Sequence, residues 1–382
     1  MTRSSFSSGS RAVLTAVAIW LATVAWTSAL SAQGAPQMSE QAFKNIQVLK
    51  GIPVDEFMGT MGLFSAALSI CCAECHTGAG TSNPKWEDDP PRKRTARRMM
   101  QMVAAINRDN FNGRQVVTCW TCHRGSQSPL VTPALDRMYG EPVVEPPDII
   151  RTAPSGEPTV DEIFERYLQA LGGRARLATL TSYAAKGTST PFGDVGKGYP
   201  AEIYAKAPDQ LTTIVHQQEG DMARTFDGRE GYFLLPLTVV EEYPWTGGAL
   251  EGAKLEAELA FPAQIKTTLA NWRVGFSTTV NGVDVRVVQG TGSSGLVATL
   301  YFDKQSGLLV RLIRYTNSAV GRVPTQLDFS DYRAVAGVMM PFKWSYSWLS
   351  GRDDFVLTDV QPNVAIDKAR FTKPVPVGRR VQ

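Results

Sequence analysis

The sequence predicts an α+β two-domain protein, a mainly α domain followed by an antiparallel β-rich domain with a few helices. Three observations carry this. The chain has 382 residues, more than one hydrophobic core usually serves. A proline-crowded stretch, residues 141–158 with five prolines, divides it. Before that stretch apolar residues recur at helical spacing, and beyond it they alternate between turn signals.

The first 32 residues read as an export signal. Arg3 and Arg11 flank a polar start, and residues 12–29 are apolar and uncharged. Small Ala29, Ser31 and Ala32 then precede Gln33 and Gly34. This is the basic, apolar and small-residue cleavage pattern of a signal peptide, so the mature chain is expected in the periplasm. Left uncleaved, the same run is nearly long enough to span a bilayer and would hold the chain at a membrane.

Residues 36–140 carry a two-fold pattern, each half a Met-bearing helix, a loop and a Cys-x-x-Cys-His string. In the first half Asp55 is placed to cap a helix with Phe57, Met61, Phe64 and Leu68 on one face. Gly59 and Gly62 weaken that helix but leave room beside Met61 for a flat macrocycle. In the second half residues 94–107 put Met99, Met102, Val103 and Ile106 on one face. Arg92, Lys93, Arg94, Arg97 and Arg98 make the start of this helix basic. They suit a solvated face or, functionally, contact with haem propionates or an acidic redox partner.

The chemistry sits in the two strings. Of five cysteines, four lie in Cys72-Ala73-Glu74-Cys75-His76 and Cys119-Trp120-Thr121-Cys122-His123, and these use two of the three histidines. Cys-x-x-Cys-His is the attachment signature of c-type haem: two thiols join the two vinyl groups, and the next residue falls under the iron. The expected cofactors are therefore two haem c groups, attached through Cys72 and Cys75 and through Cys119 and Cys122, with His76 and His123 as axial iron ligands. A redox dithiol would sit beside a βαβ pattern, which is missing. Zinc would want four ligands where each string offers three. Two disulfides would explain the cysteines but not the repeated histidine. A thioether on the far side of each iron would close it and raise its potential. Met61 and Met99 are the candidates, with Met58, Met100 and Met102 as local competitors and core filling as the bland use. Cys71 abuts the first string with no assigned role.

Several segments around these strings, Asn45-Ile46-Gln47-Val48-Leu49, Glu56-Phe57-Met58-Gly59-Thr60-Met61, Ala96-Arg97-Arg98-Met99, Ala105-Ile106-Asn107 and Val117-Thr118-Cys119-Trp120-Thr121-Cys122-His123-Arg124-Gly125, resemble the first two haem segments of the cytochrome c subunit of photosynthetic reaction centres. The resemblance implies a diheme cytochrome c domain with Met61 axial to the first haem and Met99 to the second. The chain departs from that family's four-haem pattern in having two motifs. It also lacks a histidine between Met99 and Cys119, so the resemblance does not establish a photosynthetic role.

Beyond the proline-rich linker, residues 159–382 form the second domain. Residues 160–171 read as one amphipathic helix ended by Gly172-Gly173. Asp227-Gly228 and Asn281-Gly282 are tight-turn signals, and Asp303-Lys304-Gln305-Ser306 joins two strands. Residues 342–348 alternate, and a helix over 251–270 interrupts the strands. Phe329-Ser330-Asp331-Tyr332, Val338-Met339-Met340-Pro341-Phe342 and Phe371-Thr372-Lys373-Pro374 are similar to lipoprotein-sorting carriers of the cell envelope. That likeness implies an antiparallel β half-barrel-like domain and an apolar ligand. His216 stands alone and reads as a surface histidine.

The expected function is electron transfer by a periplasmic diheme c-type cytochrome, not an enzyme, with redox proteins of the cell envelope, some of them membrane-bound, as partners. A peroxidase-like diheme enzyme and an envelope carrier with redox-sensing haems are the competing classes. A formal net charge of +3 argues against nucleic-acid binding driven by bulk charge.

Overall fold

Alternation of apolar and polar residues over 182–362 dictates the largest feature, an open antiparallel sheet. The computed structural model describes residues 36–376 except 82, 130, 134, 141–145, 197 and 237. The leader and the start of the linker thus lie outside the described residues. The first strands are β1 (Ser182–Pro191), β2 (Tyr199–Lys206), β3 (Gln210–Gln217), β4 (Gly220–Phe226), β5 (Gly231–Leu234) and β6 (Glu242–Pro244). After a helix come β7 (Ala270–Val274), β8 (Thr278–Val280), β9 (Val283–Thr291), β10 (Val297–Asp303) and β11 (Leu309–Ser318). The long strands β12 (Gly321–Val335), β13 (Val338–Trp348) and β14 (Gly351–Pro362) close the series. Hydrogen bonding orders them β6-β5-β4-β3-β2-β1-β14-β13-β12-β11-β10-β9-β7, with β8 on β9. The one non-local ladder inside this order is β1 on β14, which joins the first meander to the last.

The turn signals work as their chemistry requires. Asn281 and Gly282 both take positive φ between β8 and β9, the backbone of a tight hairpin turn. Asp227 accepts the Arg229 and Glu230 amides through one carboxylate oxygen (2.7 and 2.6 Å), holding the bend between β4 and β5.

One face of the sheet carries the main core. Phe302, Leu312 and Phe355 from the strands meet Phe164 and Leu168 of one helix and Leu255 of another. The residues of this cluster all lie beyond 160. The opposite face carries a smaller cluster in which Ile150 packs on Val285, Val287, Ile313 and Tyr315. The proline-rich segment reaches Ile150 by lying along the sheet: fully buried Gln289 donates to the Asp148 carbonyl (3.0 Å), and Asp148 pairs with Arg322 (2.7 Å).

The helices, in chain order, are α1 (Ser39–Ala42), α2 (Val54–Leu68), α3 (Pro91–Phe111), α4 (Cys119–His123), α5 (Leu135–Tyr139), α6 (Val160–Ala170), α7 (Arg174–Leu177) and α8 (Gly247–Ala260). Helix α6 starts on a reciprocal cap between Thr159 and Glu162 and ends before Gly172 and Gly173, as its sequence signals ask. The helix expected over 251–270 is instead α8: Pro262 lacks an amide hydrogen, and a 3₁₀ turn over Pro262–Gln264 follows.

Two readings of α2 need correction. Its N-cap is Pro53, with no side-chain cap, and the Asp55 carboxylate reaches across the molecule instead. It accepts the Thr246 amide (2.6 Å) and hydroxyl (2.9 Å) at the start of α8. Nor do Gly59 and Gly62 leave room beside Met61. A Cβ at Gly59 would meet Val323 of β12 at 3.5 Å, and one at Gly62 would meet Leu349 at 3.4 Å. The glycines face the sheet, and α2 packs on β6, β11 and β12.

Candidate functional site

Both Cys-x-x-Cys-His strings fold as single tight helical turns. The first is a 3₁₀ turn over Cys72–Glu74, in which the His76 amide donates to the Cys72 carbonyl (2.9 Å). The second is α4, which Thr121 helps start by accepting the Thr118 amide (3.0 Å). A turn of this kind puts both thiols and the following imidazole on neighbouring positions. The four thiols and Cys71 are free, and in each string one is half-buried and the other exposed. Burial pushes the Cys75 thiol up, with the neighbouring Cys72 and Cys71 adding to it. Burial does the same to Cys119, and Cys122 adds to it. Among the described residues no three His, Cys, Asp or Glu side chains gather to hold a metal ion.

The histidines differ in how they are held. The Nδ1 of His123 lies 3.0 Å from the Ser126 carbonyl. A carbonyl only accepts, so Nδ1 carries the proton and Nε2 keeps its lone pair. That is the tautomer an iron ligand needs, and it comes from local chain geometry. His76 packs edge-on to Trp86, ring centroids 5.2 Å apart, and its Nδ1 is buried without a hydrogen-bond partner. Burial, then the nearby Lys93 ammonium, lowers its pKa against the opposing Trp86 backbone.

Helix α3 organises the surroundings of both strings. Its basic start is partly a solvated face, with Arg92, Arg94 and Arg98 exposed, yet most of its cations have partners in the first string and the loop before the helix. Arg92 pairs with Glu74 inside the first string. Lys93 donates to the carbonyls of Trp86 (2.7 Å) and Asp88 (3.0 Å). Arg97 is buried, pairs with Asp89 and donates to the Asn45 carbonyl (3.2 Å). Asn45 in turn donates to the Glu87 carbonyl (2.8 Å). At the far end buried Asn107 binds the peptide leading into the second string. Its Oδ1 accepts the amides of Val116 (3.0 Å) and Val117 (2.9 Å), and its Nδ2 donates to the Val117 carbonyl (2.8 Å). Arg98, by contrast, is exposed and donates to neighbouring Thr95 (3.1 Å).

The methionines sit where the helical pattern puts them. Met61 is half-buried on α2, which also packs on α4. Met99 and Met102 are 36% and 44% exposed on α3, beside half-buried Val103 and Ile106. Met58 and Met100 are half-buried. Among the described residues before 146, the buried apolar side chains are Leu49, Val54, Phe57, Leu63 and Ala67. Four of these, Val54, Phe57, Leu63 and Ala67, belong to α2, the helix that lies on the sheet. So short a list does not make a core for about a hundred residues, while apolar Met99, Met102, Val116 and Trp120 stay exposed. The arrangement fits a large apolar group held between the helices. It offers each such group two thiols and an imidazole.

The comparisons with known proteins fall on this same stretch. Residues 15–136 match the family model for the photosynthetic reaction centre cytochrome C subunit. The segment bearing both strings is similar to that subunit. The subunit from Roseobacter denitrificans is 34% identical over 104 residues, which are 25% of this chain and 28% of that one. The subunit from Thermochromatium tepidum is 37% identical over 98 residues, 25% of this chain and 23% of the relative. The chain thus spans about a quarter of the length of the curated relatives it matches. The larger β-rich part aligns with solved structures of another kind. A LolA superfamily protein from Nitrosomonas europaea covers 57% of this chain and 99% of its own, at 12% identity and a TM-score of 0.38. A putative outer membrane lipoprotein-sorting protein domain from Vibrio parahaemolyticus covers 56% and 98%, at 11% identity and a TM-score of 0.39.

Sequence reasoning missed Asn45, Asn107 and Asp55 as organising residues. The two asparagines stood inside the segments that carry the cytochrome resemblance, which was the available signal. Asp55 had none, because its partner is 191 residues away. His216 proves half-buried in β3 and bonded to Asp221 (2.9 Å), a satisfied strand histidine. No helix among the described residues is long and apolar enough to cross a membrane.

Proposed function

We propose that residues 36–140 hold two covalently attached haems and that the chain is an exported electron carrier of the periplasm. Cys72, Cys75 and His76 would hold the first haem with Met61, and Cys119, Cys122 and His123 the second with Met99. The observation that carries this reading is the second string. There, half-buried Cys119, exposed Cys122 and the Nε2 lone pair of His123 are presented together beside apolar surface that the chain leaves uncovered.

Bound haem supplies a one-electron iron couple. The chain's own contribution would be to fix the imidazole tautomer and to offer a thioether as a second ligand. Closed on both sides, such a site exchanges electrons without binding substrate, which favours a carrier over an enzyme. The partners are redox proteins of the cell envelope. An apolar ligand of the β-rich part would need a site outside its main core; a groove of about 590 Å³ carries Val280, Val310, Trp344 and Val356 in its lining, but also Asp303, Asp328, Lys343, Arg352 and Asp354.

The haem-loaded full chain tests this. Two haems per chain are expected by mass, and neither ferrous haem binds carbon monoxide. Met61→Leu and Met99→Leu each open one haem to carbon monoxide. Ready binding at both haems of the unmutated protein defeats the His/Met assignment, and a high-spin resting haem favours the enzyme class.

A further inference from the structure

We infer that Asn107 is a positioning residue for the second haem, fixing how close the methionine face of α3 stands to His123. The inference rests on the ligation proposed above and assigns a further residue to it. Asn107 is 7% exposed, and Arg97 is the only other buried side chain of α3 among the described residues. Its carboxamide is used at both ends, with two bonds accepted from Val116 and Val117 and one donated to Val117. Its main-chain carbonyl accepts the Asn112 and Gly113 amides where those two residues turn left-handed and end the helix. At that end the Asn107 side chain clips the returning chain back against α3. Two residues after Val117 the attachment helix begins at Cys119.

The other ties of the second string run elsewhere. Gln115 donates to the Ser318 carbonyl (3.2 Å), and the Gly125 amide donates to the Ala67 carbonyl (2.9 Å). These hold the string to the sheet and to α2. Asn107 is the side chain that ties it to α3. Met99 lies eight residues earlier on that rigid helix, about 12 Å along its axis. A thioether held by distance alone tolerates little slack, so loosening this clip should lengthen or break the bond at the second iron and leave the first alone.

The test uses haem-loaded full chain. In Asn107→Ala the Val116 and Val117 amides should exchange with solvent at least tenfold faster. The second ferrous haem should bind carbon monoxide where the unmutated protein binds none, and the first should stay closed. Asn107→Asp keeps both accepted bonds and should leave most of the second haem closed, and it decides the matter if the alanine variant does not load haem. Gln115→Ala, which frees the string only from the sheet, should open neither haem. A second haem that stays closed in both Asn107 variants overturns the inference, as does equal opening of both haems. Carbon monoxide binding by the unmutated second haem overturns instead the ligation beneath it, and the positioning role with it.

Discussion

Asp55 shows how a single side chain joins the motif-bearing segment to the sheet. Burial raises its pKa, against the Thr246 hydrogen bonds that lower it. The folded pKa therefore lies above the unfolded one, and Asp55 favours folding most when protonated. That contribution is complete below the unfolded value, near 3.8, and is lost as pH rises through the folded value. Asp55→Asn keeps a carbonyl for the Thr246 amide and offers its NH₂ to the hydroxyl, without the buried charge. Its melting temperature relative to the unmutated chain should rise as pH goes from about 3.5 to 7. Asp55→Ala leaves the Thr246 donors at the start of α8 without their partner and should cost about 1–3 kcal/mol at neutral pH. Thermal melts of the three proteins across that range check both, and parallel pH profiles would refute the sign.

At the scale of elements, what was legible in the sequence is what is local. The α6 helix, the turns at Asp227-Gly228 and Asn281-Gly282, and the β10–β11 hairpin each rest on residues a few positions apart. The two attachment strings are local as well, and each forms a tight turn. What the sequence did not disclose is long-range. The pairing of β1 with β14 and the docking of α2 on the sheet depend on partners well over a hundred residues away. That is why Gly59 and Gly62 were read as room for a macrocycle when they face β12 and Leu349. The docking geometry makes a graded prediction. A Cβ at Gly59 would sit 3.5 Å from Val323, an ordinary contact, so Gly59→Ala should be neutral or stabilise by up to about 1 kcal/mol through helix propensity. Gly59→Phe sets a ring on the carbon that already touches Val323 and should destabilise by about 1–3 kcal/mol as α2 is pushed from the sheet. Chemical denaturation of both variants measures this, and equal stability would show that α2 is not pressed against β12.

For the whole molecule the question is which part can stand without the other. The main core draws on residues beyond 160, and the smaller cluster on the other face adds Ile150. The part before 146 buries few apolar side chains, and its α2 is one of the surfaces it shares with the sheet. A chain beginning at residue 146 should therefore fold cooperatively, keep its β-sheet signature and lose a few degrees of melting temperature with the α2 contacts. A chain beginning at 159 removes the strap as well. Ile150 is then gone from its cluster, at about 2–3 kcal/mol for one buried aliphatic side chain. Gln289, fully buried, loses the Asp148 carbonyl it donates to (3.0 Å) and the Ile150 amide it accepts (3.3 Å). Leaving such groups unpaired costs about 1–3 kcal/mol more. The shorter chain should thus be less stable than the longer by about 3–6 kcal/mol, read by urea denaturation followed by circular dichroism. Equal stability would mean that the strap is a passive connection. An unfolded chain from 146 onward would mean that the sheet needs the motif-bearing segment to fold.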